Sequence, residues 1–226
     1  VKTLVLLSQK GGAGKSTLAL HIAVCAERQG LRTLLVDVDP QGSIAGWAER
    51  RGERTPDVLP THPAKLAAVC ADSAREGYDL IVIDTAPAAD RGAMVAAGVA
   101  DFILIPCRPA QFDLDAVVTT VAMIRTVRKP FAIAFNAAPP RGRQIEDATS
   151  LVVASEYPYL AHSIRSRVAF QSCLTSGDTA MELEPSSIAA REMGDFYGEL
   201  MGRMDRLDRL VTAVPNGDNT KTKRSA

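Results

Sequence analysis

Lys10-Gly11-Gly12-Ala13-Gly14-Lys15-Ser16-Thr17 decides the fold, because it stands between an apolar run, Leu4 to Leu7, and a segment with helical periodicity. A strand, a glycine-rich loop and a helix in that order form a phosphate-binding loop. Glycine lets the backbone approach an anion closely and bend sharply around it, and the N-terminus of the following helix adds partial positive charge. The backbone of Gly11, Gly12, Ala13, Gly14 and Thr17 is therefore expected to cradle a nucleotide's phosphates. Lys15 is expected to contact the β- and γ-phosphates, and the Ser16 hydroxyl to ligate Mg²⁺.

The loop departs from the ordinary pattern. The first glycine of the usual spacing would fall at Gln9, and a second lysine, Lys10, stands near the start. Holding Lys10 beside Lys15 is costly unless an anion compensates both, and a nucleoside triphosphate supplies several negative charges. At these residues the sequence resembles the deviant Walker A ATPases, the family of ParA partition proteins, MinD, the arsenite-pump ATPase and the nitrogenase iron protein. The resemblance implies ATP as the ligand and an ATP-dependent homodimer, a nucleotide sandwich in which Lys10 reaches the partner's phosphates.

Outward from the loop, apolar runs at 2–8, 32–37, 79–84, 101–106 and 131–136 alternate with helical segments starting near Lys15, Ser43, Pro63, Asp90, Phe112 and Arg143. Each run is almost continuously apolar, as a strand covered on both faces must be. Gly30 supplies a C-terminal cap for the first helix. The rhythm predicts an α/β fold of the P-loop NTPase type, a mainly parallel twisted sheet with helices on both faces. A weaker strand is expected over 157–164 and a long helical region from about Pro185 to Val211. One ATPase domain over 1–211 and a disordered tail over 212–226 follow, since the chain turns polar after Val214 and ends in a short basic cluster.

A chain of 226 residues with 46% hydrophobic content can bury a substantial single core. Its formal net charge is zero, so nucleic-acid or lipid binding has to come from a local patch. Cys25, Cys70, Cys107 and Cys173 have no CxxC spacing and no nearby histidine, which argues against zinc and against a shared iron–sulfur cluster. No apolar run approaches a membrane span, and the sequence opens on its first core strand without a leader, so a cytoplasmic protein is expected.

Acidic residues end two of the apolar runs: Val36-Asp37-Val38-Asp39-Pro40-Gln41-Gly42 and Ile83-Asp84-Thr85-Ala86-Pro87. A carboxylate at the end of a buried strand needs a cation or hydrogen-bond donors. Asp84 matches the Walker B aspartate that holds Mg²⁺, directly or through water. Asp39 lies in a stretch resembling the family's switch I and matches the residue that orients the attacking water, with a share in the metal site. Lys10, Lys15 and Asp39 are thereby the expected catalytic residues, and Ser16, Asp39 and Asp84 the expected metal residues. Asp37 is left between Mg²⁺ support and capping the helix near Ser43. Asn136 matches the family position that contacts adenine, against a plain strand-terminating turn residue. His21, His62 and His162 show no recognisable partners and read as structural or solvated.

The resemblance runs from Lys2 to about Leu210. Ile164 to Phe170 looks like the start of the DNA-contacting surface of ParA-type ATPases, which makes Arg165, Arg167 and Arg191 DNA-binding candidates. Arg165 and Arg167 alternate, so both can face one way and hold phosphates without reading bases; solvation or pairing with acidic neighbours is the alternative. The implied partners are nonspecific DNA, bound by the ATP-loaded dimer on the nucleoid, and a ParB-like or other small adaptor protein, in plasmid or chromosome partition. The rival is a MinD-like membrane-associated or complex-positioning ATPase, anchored by an amphipathic helix over 198–214. Leu200, Met204, Leu207 and Val211 lie on one side there, but the interleaved Arg203, Asp205, Arg206, Asp208 and Arg209 favour core packing and no membrane contact. A metabolic P-loop enzyme would need a substrate pocket for which no separate motif is visible.

Overall fold

Short, fully apolar runs cannot satisfy their backbone groups alone, and here they do so by pairing in parallel. The computed structural model describes residues 1–87 and 90–212, so beyond Thr212 the expected tail lies outside the described residues. In chain order the elements are β1 (Lys2–Leu6), α1 (Lys15–Arg28), β2 (Thr33–Asp37), α2 (Ser43–Arg51), β3 (Asp57–Pro60), α3 (Leu66–Arg75) and β4 (Leu80–Asp84). These are followed by α4 (Arg91–Val99), β5 (Phe102–Cys107), α5 (Gln111–Arg125), β6 (Phe131–Phe135), α6 (Gln144–Ala154), the single turns α7 (Ala169–Ser172) and α8 (Ala180–Leu183), and α9 (Ile188–Thr212). The sheet order is β3-β2-β4-β1-β5-β6, with every pairing parallel.

The period-two alternation of the strands divides the core into two layers. Leu4, Leu6, Leu35, Val82 and Leu104 pack with α1, α2 and α9, while Val5, Val36, Ile81, Ile103 and Ile133 pack with α3, α4, α5 and α6. On α9, Met193, Phe196, Tyr197, Leu200 and Met204 are buried in the first layer. The apolar stripe of this helix is thus core as far as Met204, with Leu207 packed against it, while the side chain of Val211 lies outside the description, and among the described residues no helix is long and apolar enough to cross a membrane.

Two elements differ from the sequence-based expectation. β3 was not expected: Asp57-Val58-Leu59-Pro60 is four residues long and largely exposed, an edge strand ending in proline, too short for its alternation to register. The strand expected over 157–164 is reduced to one isolated bridge to β6, Ile133 with Tyr159, followed by another just past both segments, Ala138 with Arg165. Pro158 brings no N–H to the ladder, and the N–H groups of Ala161 and His162 leave the edge to donate to Glu199.

Candidate functional site

β1 lies between β4 and β5, so the loop leaving it meets the ends of both neighbours at the carboxyl edge of the sheet, where α/β folds place their ligands. Gly12 and Gly14 have φ of +75° and +87°, a region costly for any residue with a Cβ. At Gly14 a Cβ would also come within 2.1 Å of the Asn136 side-chain nitrogen. That nitrogen donates to the Ala13 carbonyl at 2.8 Å, pinning the loop to the end of β6. Gly14 is the N-cap of α1 and brings no side chain to cap it, which leaves the helix start open to an anion.

Lys15 is buried, and desolvation lowers its pKa below the ordinary lysine value, with Asp84 and Asp39 pulling it back up. Lys10 is exposed at the mouth of the loop, and its ammonium has no partner among the described residues. One lysine is thus held inside the site and the other points out of it.

Asp84 is fully buried, and neither carboxylate oxygen has a hydrogen-bond partner among the described residues. Burial raises its pKa to about 7, with Asp37 and Asp39 adding to the rise. The nearby Ser16 hydroxyl, close but not in bonding geometry, and the Lys15 ammonium oppose it. An orphaned buried carboxylate beside a hydroxyl and a second acid is an all-oxygen donor set that fits Mg²⁺. No group of three or more His, Cys, Asp or Glu side chains could hold a metal by itself among the described residues. The remaining oxygens would come from phosphates and water, the usual arrangement for Mg²⁺ with a nucleotide.

Asp37 and Asp84 are paired across β2 and β4, yet their environments differ. Asp37 accepts from the N–H groups of Asp39 at 3.0 Å and of Ile44 and Ala45 at 3.2 Å. Of its two readings, the structure has the helix cap: the carboxylate satisfies the start of α2 and braces the loop. Asp39 is half-buried and among the described residues accepts only from Gln41 N–H, at 3.0 Å, which leaves most of its lone pairs unused.

Two cavities open at this edge. The larger, about 890 Å³, lies beyond Asp39 and is lined by Pro60, His62, Pro63, Thr85 and Ala93. The smaller, about 210 Å³, runs from Gly12, Gly14 and Thr17 to Asn136 and Arg165. It is continuous with the phosphate loop and is the better seat for a nucleoside. Asn136 uses one of its two N–H donors on Ala13 and keeps the other, together with its carbonyl oxygen as an acceptor. Arg108 also lines this cavity, its guanidinium 3.3 Å from where a Gly12 Cβ would stand. Sequence reasoning missed Arg108 because nothing local distinguishes an arginine one residue past a strand.

The three arginine candidates do not form one free patch. Arg167 is locked in a two-pronged ion pair with Glu192, at 2.9 and 2.5 Å, so its charge is already compensated. Arg165 donates to the Pro139 carbonyl at 2.9 Å, and Arg191, exposed, donates to the Ser186 carbonyl at 2.7 Å. The histidines have partners after all. His62 accepts from Ala64 N–H, His162 meets Glu199 at 2.9 Å, and His21 bridges the Thr17 carbonyl and Ala180 N–H at 2.7 and 3.1 Å.

A family model described as the CobQ/CobB/MinD/ParA nucleotide binding domain matches residues 4–180. The chain belongs to this family. Within the ParA/MinD family it is 28% identical over 212 residues to the maintenance of carboxysome distribution protein A of Halothiobacillus neapolitanus, covering 88% of this chain and 96% of that one. It is 29% identical over 160 residues to the chromosome-partitioning ATPase Soj of Thermus thermophilus, covering 57% and 63%. The MinD cell division protein of Aquifex aeolicus superposes with a TM-score of 0.74 over 89% of this chain and 98% of that one, at 19% identity. The expected P-loop fold and nucleotide-binding family are therefore established.

Proposed function

We propose that this ParA/MinD-family protein is a Mg²⁺-dependent ATPase that dimerises around ATP, binds DNA nonspecifically and positions a cargo through a small adaptor protein. The observation that carries the reading is the division of labour between the two lysines. Buried Lys15 faces Asp84 and Asp39, while Lys10 stands exposed with no partner among the described residues, as a residue reserved for a second subunit's phosphates would. Mg²⁺, when bound, supplies charge neutralisation at the β- and γ-phosphates. Lys15 holds the phosphates, Ser16 and Asp84 present oxygens to the metal, and Asp39 orients a water through its free lone pairs. Asn136 offers its carbonyl oxygen to an exocyclic amino group and its remaining N–H to the adjacent ring nitrogen, a donor–acceptor pair that suits adenine.

DNA would be held by Arg165 and Arg191, together with Arg141, which is exposed and without a partner among the described residues. Two copies of each in a dimer double the phosphates engaged. For the cargo, plasmid or chromosome partition is the first reading. Distribution of a large protein body is the second, favoured by a similarity that spans nearly all of the Halothiobacillus protein but about three-fifths of Soj.

The test uses Asp39→Ala, which should bind ATP with Mg²⁺, hydrolyse it poorly and accumulate as a dimer that binds unrelated duplexes with one steep salt slope. Lys15→Ala should bind no ATP by calorimetry. A monomer in light scattering with ATP in the Asp39 variant would refute the dimer. A dimer that ignores DNA at low salt would refute the DNA reading.

A further inference from the structure

Arg108 follows β5 at the level where the loop leaves β1. Leu6 pairs with Leu104, and Leu7 N–H donates to the Leu104 carbonyl at 3.0 Å. Four residues further along each chain are Lys10 and Arg108. The Arg108 backbone is well held: its carbonyl accepts from Ala110 N–H at 2.8 Å and from the Cys107 thiol at 3.1 Å, and the preceding carbonyl, of Cys107, accepts from Asn136 N–H at 2.8 Å. From that fixed base the guanidinium lies over Gly12, on the wall of the cavity that also holds Gly14, Thr17 and Asn136. It is exposed and has no hydrogen bond, ion pair or aromatic ring among the described residues.

An arginine offers five donors in a planar fork and does not lose its proton. Placing one over Gly12 adds a third cation to the loop that carries Lys10 and Lys15, and the carboxylates Asp39 and Asp84 act on Lys15. Other charged groups on the small cavity's wall are Arg165 and Arg167, the latter compensated by Glu192. Such a concentration of positive charge favours an anion, and a guanidinium matches a phosphate with two parallel hydrogen bonds.

We propose that Arg108 is a nucleotide-binding residue that clamps the polyphosphate over Gly12, in addition to Lys10 and Lys15. This rests on the nucleotide site proposed above. The polyphosphate is that of the same subunit's nucleotide or, since Gly12 and Lys10 are both exposed, that of a partner subunit, and the two sources give different results.

The test compares wild type, Arg108→Gln, Arg108→Lys and Lys15→Ala by calorimetry with ADP and with a non-hydrolysable ATP analogue, alongside light scattering. If Arg108 serves its own nucleotide, Arg108→Gln should weaken ADP and ATP-analogue binding at least tenfold, as a charged hydrogen bond of about 1.5–3 kcal/mol implies. Arg108→Lys, which keeps the charge but not the fork, should recover part of that loss. If it serves the partner's nucleotide, ADP binding should be unchanged while ATP-induced dimerisation weakens at least tenfold. Unaltered ADP affinity together with unaltered dimerisation in Arg108→Gln overturns the proposal, whereas retained ATP binding in Lys15→Ala overturns the nucleotide site itself. Matching melting curves without nucleotide exclude misfolding, because an exposed side chain without partners contributes nothing to the fold.

Discussion

Replacing Asp84 by asparagine should make the nucleotide-free protein more stable at pH 8 and make it nearly blind to Mg²⁺. Burial holds the carboxyl at about 7 against an ordinary 3.8. Because the folded value is raised, its contribution to stability is fully present below about pH 4 and is lost as the pH climbs through 7. The displacement of about three units corresponds to about 4 kcal/mol of cost for the ionised form at pH 8. An amide avoids that charge but leaves its own polar atoms unpaired, at about 1–2 kcal/mol. The net gain of Asp84→Asn at pH 8 should be about 2 kcal/mol, or roughly 4–8 °C in Tm for a chain of this size. At pH 5, where the wild-type carboxyl is protonated, the gain should vanish. His21 titrates oppositely: burial lowers it to about 4 from 6.5, so its contribution is lost as pH falls from 6.5 toward 4. The variant-minus-wild-type difference isolates Asp84, because His21 is common to both. Differential scanning fluorimetry from pH 5 to pH 8.5, with and without Mg²⁺ and ADP, reads all of this. A difference in Tm that is the same at pH 5 and pH 8, or a variant that Mg²⁺ stabilises as fully as wild type, would show that Asp84 is not the strained, metal-seeking group argued here.

Gly14→Ala should cost about 2–3 kcal/mol, combining left-handed strain with loss of the Asn136 to Ala13 bond. A double-mutant cycle with Asn136→Ala, which removes the colliding nitrogen, should recover part of it, and a Gly14→Ala variant within about 0.5 kcal/mol of wild type by urea denaturation would contradict the close approach. Glu192→Gln frees the Arg167 guanidinium from its partly exposed pair; stability should drop by about 1 kcal/mol or less, while DNA affinity at low salt, read by fluorescence anisotropy, rises severalfold. Unchanged DNA affinity would remove Arg167 from the surface.

Most of the architecture was legible because buried parallel strands write themselves as continuous apolar runs, and because the loop from Lys10 to Thr17 combines glycine, lysine and hydroxyl at the spacing of a phosphate-binding loop between a strand and a helix. Asp84 was legible for the same reason: a carboxylate ending the run Leu80–Asp84 has to be answered by something. What escaped was whatever depends on a partner far away in sequence. β3 has four residues and one covered face, too little for a period to show. The alternation of Arg165 and Arg167 suggested a shared direction, and only the fold reveals that Glu192, from a helix 25 residues on, takes one of them. Arg108 carries no local signature, since its meaning comes from Gly12 on the neighbouring strand's loop.

The same limit hid how the two nucleotide loops are fastened to the rest of the chain. α1 leaves the phosphate loop and α2 leaves the Asp37 to Gly42 loop, and both are tied to the segment around α8. His21 accepts from Ala180 N–H at 3.1 Å, and its ring packs edge-on against Phe170 at 5.2 Å. Trp47 donates to the Asp178 carbonyl at 3.1 Å, and Arg51 donates to the Gly177 carbonyl at 2.9 Å and pairs with Glu182 at 2.8 Å. Gly177 is pressed so closely on α2 that a Cβ there would meet Arg51 N at 2.4 Å. In the sequence these are a lone histidine, a lone tryptophan and an arginine among several, each indistinguishable from a solvated or loosely packed residue. Their positions become intelligible once α7 and α8 are seen as the surface that braces both loops. A buried neutral histidine and a buried arginine pair are costly ways to fill space, and the hydrogen bonds they make fix direction where an apolar contact would not. The loops proposed to present Lys15, Asp39 and the backbone of Gly14 to one nucleotide therefore share an anchor among the described residues, downstream of Arg165 and Arg167.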